Sequence, residues 1–492
     1  MRDRPRDGRA QRVEAIPSRK SLAKEWFAIK TSAALLLRRI ILCLVLALGY
    51  GRWVPAQSDV ASNAPPPQLP HYALQDCINR ALEQNPDILV SKKHLEEAAG
   101  AIVEARAGFL PNLTSYASYE KLETDYATLG GTSSNRTEIW NVNIRLTETI
   151  YAGGAIRARM DIARLQRQSR TLDFEAQVDQ VIMDVRIAFY DILRNKADVA
   201  VHDQAVSFLA EQARNERARL EVGTGQKLNV LRAEVNLALE QSALVDSRNR
   251  LRDSYLRLSE LLSIPYSTDQ DNVPFDVDGA LAYEKTTLDL NRSLSEALVQ
   301  RPELTAQENE IKLQKKQLIV DRSELLPHVN LFTGYDVVSE PDVTLPQDHY
   351  EGYVAGVEAN WHIFDGLATK GRMRETRARI EAAGILFDAI QRNIQTEVLR
   401  AYRDLQRAEE NIQTQTANVQ LATESLSLAT ANFAVGLTSQ LEMLQARLDL
   451  TRAQTAELSA RFDYNAAMAR LQRAMGTQFQ IIDARSLRGS AK

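Results

Sequence analysis

The sequence predicts a mainly α-helical fold that also carries a transmembrane β-barrel segment, assembled from two structural repeats, each a β-hairpin plus long coiled-coil helices. Three observations carry this reading. A stretch of 67 residues, Ala155 to Glu221, contains neither proline nor glycine. Segments of about ten residues alternate strictly between apolar and polar side chains, the period of a half-exposed strand. A fixed order of short motifs occurs twice along the 492 residues.

Residues 1–56 read as a signal peptide with a long basic n-region. They hold 12 Lys or Arg against 4 Asp or Glu, then the apolar run "IILCLVLALGY" and the small-residue site Val54-Pro55-Ala56. An apolar run of 11 residues is too short to span a bilayer as a helix, which takes roughly 20. An inner-membrane anchor or an early start codon are the alternatives. Leu42 before Cys43 argues against lipid attachment. Without this segment's charge of +8, the whole-chain −4 becomes about −12, which excludes nucleic acid as a natural partner. Cys77 is then left without an intrachain partner, so stability rests on packing and assembly.

A linker over 57–72 leads to repeat 1, residues 73–263. Its helical start contains "ALEQNPDILV", which resembles "ALVQRPELTA" in repeat 2, residues 292–476. In both a second proline follows 25 residues after the first, Pro86 to Pro111 and Pro302 to Pro327, so "GFLPNL" and "ELLPHV" are equivalent. Strands follow near 113–126 and 138–151, and near 328–338 and 353–364. Trp140, Val142, Ile144 and Leu146 face away from Asn141, Asn143 and Arg145; Tyr353, Ala355, Val357, Ala359, Trp361 and Ile363 face away from Gly356, Glu358 and Asn360. A sheet apolar on one face, in an exported chain, suits a barrel in lipid, where no open edge is tolerated. A soluble sheet under helices is the alternative. Aromatic residues Trp140, Tyr151, Tyr353, Trp361 and Phe364 are candidate membrane-interface anchors, with Tyr116, Tyr119 and Tyr335 beside them.

"IYAGG" and "IFDGL" then open long helices over 155–221 and 367–434. Val178, Ile182, Val185, Phe189 and Ile192 keep coiled-coil spacing, and Leu405, Ile412, Val419, Leu426 and Phe433 recur every seven residues. Each rod is about 100 Å long at 1.5 Å per residue. "VGTG" and "VGLT" mark tips at 222–225 and 435–438, followed by return helices over 226–263 and 439–475. The lengths suggest that 226–263 stacks on 292–325 across an equatorial linker, 264–291, and that 439–475 stacks on 73–108. A C-terminal tail covers 477–492.

The twofold series of helix, "LP", hairpin, "IYAGG" or "IFDGL", long helix, and "VGT" or "VGL" resembles the TolC-like outer-membrane efflux proteins over nearly all of residues 70 to 478. The resemblance implies a homotrimer, since four strands cannot close a barrel and three copies supply twelve. It also implies an α-helical periplasmic tunnel docked on a periplasmic adaptor (membrane fusion protein) and served by an inner-membrane transporter of RND, ABC or MFS type. On this footing the chain is an outer-membrane channel of a tripartite efflux or type I secretion system. A non-channel periplasmic coiled-coil scaffold is the rival reading.

By the same resemblance, Val222, Gly223, Thr224, Val435, Gly436 and Leu437 form adaptor-docking tips, or are simply turn residues. Glu442 takes the main acidic-ring position of the periplasmic gate, with a solvated surface glutamate as the alternative. Gln445 stands where a second acid is often found. Phe433 replaces a tyrosine and Thr438 an arginine in the contacts between hairpins, and Asn229 replaces an aspartate. No cofactor, metal or catalytic residue is expected. The six histidines are scattered, and "VGTGQK" lacks phosphate-loop spacing.

Overall fold

The computed structural model describes residues 70–128, 131–265, 275–286, 288–339 and 349–476, without the side chains of 122–138. The expected signal segment, most of the 57–72 linker, the middle of the 264–291 linker, the second hairpin turn and the 477–492 tail lie outside the described residues.

A short strand β1 (His71–Tyr72) leads into α1 (Leu74–Gln84) and α2 (Pro86–Ala107), and then into β2 (Asn112–Thr128) and β3 (Gly131–Ala152). The 67-residue helix α3 (Ala155–Glu221) and α4 (Lys227–Leu261) complete the first repeat. After β4 (Asp276–Val277), the second repeat runs through α5 (Leu290–Gln300), α6 (Pro302–Ser323), β5 (His328–Val338), β6 (Tyr350–Asn360), α7 (Ala368–Ala434) and α8 (Gln440–Met475). Among the described residues, no helix is long and apolar enough to cross a membrane.

Both long helices start from the same backbone device. Gly153 and Gly154, and Gly366 with Leu367, take positive φ to turn the chain out of the sheet, a conformation costly for most residues other than glycine. This overrides the expected length of the last strand. Ladder pairing of β6 ends at Asn360, so Trp361 and Phe364 lie beyond it, in the turn. Asp365 accepts from the Thr369 N–H at 2.7 Å and starts α7, while the Trp361 indole donates to the Leu325 carbonyl at 3.1 Å.

The helix stacking differs from the expected order. Asn85 caps α2 by accepting from the Asp87 N–H at 2.9 Å, and its amide donates to the Leu261 carbonyl at the end of α4 at 3.0 Å. The Ser263 hydroxyl donates to the Gln84 carbonyl at 2.9 Å. In the second repeat Arg301 holds the equivalent position and donates to the carbonyls of Arg473 and Ala474, at the end of α8, at 3.4 and 3.2 Å. Thus α4 stacks on α2 and α8 stacks on α6, each within its own repeat. The last carbonyls of a helix need donors, and those donors sit at the first helix junction of the same repeat. Helix α3 packs against α2 and α4 on one side and α6 and α8 on the other, and α7 packs against α6 and α8.

Two equivalent cores sit at the stacking junctions. The first joins Cys77, Ala81, Ile88, Val185, Ile192, Leu258 and Phe275. The second repeats this with Ala297, Leu304, Val398, Leu405 and Leu471. Along α3 the seam residues Val178, Ile182, Val185, Phe189 and Ile192 are all buried. On α7 burial fades from Leu405 and Ile412 to half-buried Val419, Leu426 and Phe433 toward the tip.

Candidate functional site

Two regions answer to the sequence motifs, one at each end of the long helices. At the first, four antiparallel strands pair in the order β2-β3-β5-β6, so the two hairpins join through β3 and β5. Residues directly opposite in an antiparallel pair share a face. Leu113, Ala117 and Tyr119 therefore lie with Leu146, Val142 and Trp140, and the series continues through Leu331, Tyr335 and Val337 to Val357, Ala355 and Tyr353. This face is uncovered: Tyr353 is 92% exposed and Val357 65%. The Tyr335 and Tyr353 rings meet edge to face at 5.0 Å, and Trp140 lies 6.1 Å from His349.

The opposite face carries Asn141, Asn143, Arg145, Asn330, Asp336 and Glu358. The Arg145 guanidinium lies over the Phe332 ring at 4.9 Å, and the Thr149 hydroxyl donates to Asn330 at 2.9 Å. Tyr116 belongs to this polar face, being in register with Asn143, whereas Tyr119 lies on the apolar one. Trp140 and Tyr151 mark the two ends of the apolar stretch of β3. Trp361 and Phe364, both exposed, lie past the strand end on the helical side. Tyr353 sits part-way along the apolar face, in register with Tyr335 and hence Ile144.

The second region is the pair of tips. Gly223 and Gly436 have φ of +78° and +81°, each with open space where a Cβ would stand. Their neighbours Val222, Val435 and Leu437 are 73%, 70% and 76% exposed. In the first tip the Thr224 and Gly225 N–H groups both donate to the Arg219 carbonyl, at 2.9 and 2.8 Å. In the second the Leu437 N–H donates to the Asn432 carbonyl at 2.8 Å, and the Thr438 hydroxyl to the Ala429 carbonyl at 3.3 Å.

The tips are tied to each other. The Arg219 guanidinium lies over the Phe433 ring at 5.0 Å, and the Gln440 amide donates to the Asn229 carbonyl at 3.2 Å. Met443 and Leu444 pack with Leu209 beneath them. Glu442 and Ser439 form a capping box: the Ser439 N–H donates to the Glu442 carboxylate at 3.2 Å and the Glu442 N–H to the Ser439 hydroxyl at 3.3 Å. Both Glu442 and Gln445 are exposed, and the Gln445 amide donates to Asp449, one turn further on, at 3.0 Å. Phe433, Asn229 and Thr438 are thus gathered at the tips, with Glu442 and Gln445 on the adjoining helix.

Sequence reasoning missed the partly buried polar pairs above the tips. His202 Nδ1 lies 2.7 Å from Glu240, and Arg250 lies 2.9 Å from Asp198. Burial pulls the Arg447 guanidinium below its ordinary value, against the Glu240 charge that supports it. These residues come from three helices, and no local spacing links them. Among the described residues, no cluster of His, Cys, Asp or Glu is arranged to hold a metal.

The chain is 21% identical to the outer membrane efflux protein BepC of Brucella suis over 82% of its own length and 85% of that protein's. It is 21% identical to the outer membrane protein TolC of Vibrio cholerae over 82% and 90%. Its fold is similar to the Campylobacter jejuni CmeC outer membrane channel, with a TM-score of 0.72 at 17% identity over 85% of this chain and 89% of that one. The profile of the outer membrane efflux protein family matches residues 77–263 and 293–477. With both repeats matched, the chain belongs to the outer membrane efflux protein family.

Proposed function

We propose that three copies of the chain close a twelve-stranded barrel and an α-helical tunnel, forming a passive exit duct of a tripartite system. The observation that carries this is the sheet: β2 and β6 are its two edges, and its apolar face is uncovered from Leu113 to Val357. Unpaired strand edges are not tolerated in lipid, and joining β6 of one copy to β2 of the next satisfies both. The polar face, with Arg145, Asn330 and Glu358, then lines the pore. The long helices carry the duct into the periplasm, and α7 of one copy packs beside the α2 and α4 stack of the next.

In this reading the tips dock on a periplasmic adaptor. Val222, Gly223, Thr224, Val435, Gly436 and Leu437 suit that role because they are exposed, partly apolar and free of side chains at the glycines. An inner-membrane transporter of RND, ABC or MFS type supplies the energy, in efflux or in type I secretion. Phe433, Thr438, Asn229, Glu442 and Gln445 form the gate, with Asp449 as a further acid on the Glu442 face. Three symmetry-related Glu442 side chains in a narrow bore favour cations.

Reconstitution in a planar lipid bilayer tests the duct. Discrete conductance steps are expected, with a cation preference that falls in Glu442→Ala. Protein that inserts stably and gives no conductance, even with the tips removed, refutes the duct; an unchanged preference in Glu442→Ala refutes the acid ring alone.

A further inference from the structure

Just below the sheet, the chain reverses its charge. The first 13 residues of α3 hold Arg157, Arg159, Arg164 and Arg167 against Asp161 alone; those of α7 hold Lys370, Arg372, Arg374, Arg377 and Arg379 against Glu375 alone. This is a strongly basic band on an otherwise acidic chain. All nine basic side chains are exposed on the single chain.

Few of them are neutralised internally. Arg164 pairs with Asp161 at 3.8 Å and Arg379 with Glu375 at 2.5 Å. Arg157, Arg159, Lys370, Arg374 and Arg377, together with Arg106 at the end of α2, form no ion pair among the described residues. Salt-bridge formation elsewhere on these helices is ordinary, as Arg170 with Asp173 at 3.3 Å shows.

Between α2 and α3 this band opens into a cavity of about 610 Å³. Ile102, Phe109 and Met160 give it apolar walls, and Arg106, Arg157 and Arg164 give it three guanidiniums. Asp161, its one acid, is already held by Lys316 at 2.7 Å. The cavity therefore joins an apolar wall to an excess of positive charge, with Arg106 and Arg157 unpaired among the described residues, the two halves of an amphiphile's complement.

Its height fixes the occupant. Arg106 stands six residues before β2 and Arg157 five residues after β3, next to Tyr151 and Phe109, where the apolar strand face ends. At 1.5 Å per residue the whole band spans about 20 Å of helix directly below that edge, which the barrel proposed above, on which this inference rests, puts at the depth of the membrane's periplasmic headgroups. Guanidinium pairs bidentately with phosphate, and basic residues beside a membrane surface attract anionic lipid by about 1 kcal/mol each, roughly fivefold per charge.

We propose that this collar, with the Arg106–Arg157–Arg164 cavity at its centre, binds the headgroups of anionic phospholipids in the periplasmic leaflet of the outer membrane. Native mass spectrometry of the full-length protein in mild detergent, titrated with phosphatidylglycerol, tests it. The variant Arg106→Gln/Arg157→Gln/Lys370→Gln/Arg374→Gln/Arg377→Gln is expected to lose at least tenfold in affinity. A charge-matched variant of exposed distal residues, Arg214→Gln/Lys227→Gln/Arg232→Gln/Arg403→Gln/Arg407→Gln, is expected to keep it. The milder Arg106→Gln/Arg157→Gln should show a loss of about fivefold or more even if the five-site variant misfolds, and Arg106→Lys/Arg157→Lys should restore most of the binding. Equal loss in the distal variant, equally tight phosphatidylcholine, or displacement by millimolar inorganic phosphate would each overturn the proposal.

Discussion

The stacking junction of the second repeat rests on one buried cation, and removing it has a calculable consequence. The Arg301 side chain is only 5% exposed. It makes two hydrogen bonds to Glu303, at 2.9 and 3.0 Å, one to Glu397 at 3.0 Å, and two to the last carbonyls of α8. Burial opposes its charge, but the two carboxylates outweigh burial and hold it above the ordinary arginine value. Removing one member of a buried ion pair costs about 3–5 kcal/mol. Here the Glu303 and Glu397 side chains are 31% and 39% exposed, and Glu397 keeps Arg473 at 2.5 Å. Solvent and Arg473 therefore absorb part of the loss, so Arg301→Met takes the low end, about 3 kcal/mol. That is on the order of a 100-fold rise in local opening. Hydrogen exchange followed by mass spectrometry over 466–476 and 302–306 should show it, with exchange near the Gly223 tip unchanged. Acceleration below about fivefold at the junction would refute the view that Arg301 holds α8 on α6.

The equivalent Asn85 combines a helix cap and a buried hydrogen bond, so Asn85→Ala should cost about 2 kcal/mol, read by faster exchange at residues 86–90 and 258–263. Cys77 is buried, and burial together with the Asp76 charge pushes its thiol up to about 12; native protein at pH 8 should resist an aromatic disulfide reagent that labels the unfolded chain at once. At Asp276 burial pushes the carboxyl up, but hydrogen bonds from Lys196, Tyr255 and the Val277 N–H outweigh it and leave it below the usual carboxylate range. Its stabilisation is present above the unfolded value and lost as pH falls through the depressed one, so Asp276→Asn should flatten the acid limb of an unfolding profile. Gly436→Val has room for the side chain but not the backbone conformation, and should destabilise the tip by about 1–2 kcal/mol in exchange over 430–440.

The parts of this fold that were legible in the sequence are those set by a period. Helix α3 covers the stretch without proline or glycine, because nothing in it interrupts the hydrogen-bond ladder. The two faces of the sheet follow from strict alternation at Val142, Ile144 and Leu146. What periodicity does not carry is partnership between distant segments. "QNPD" and "QRPE" are recognisable as equivalent, but no local pattern says that Asn85 reaches Leu261 while Arg301 reaches Arg473 and Ala474, which is why the expected stacking order differs from the observed one. Likewise the alternation through Trp361 continued past the true strand end, since the turn at Gly366 and Leu367 depends on backbone conformation that a polar–apolar pattern does not encode. At the tips, the glycines announced a turn; the Arg219–Phe433 contact and the His202–Glu240 pair join separate helices and left no local trace. Family membership came from the order of motifs, each too short to identify the chain by itself.

The proposed duct requires the four-stranded sheets of three copies to close into one barrel. Native mass spectrometry of the protein released from detergent micelles measures this directly. The account predicts one dominant species of three copies that persists on dilution. A monomer, a dimer or any other closed number as the stable species would contradict it.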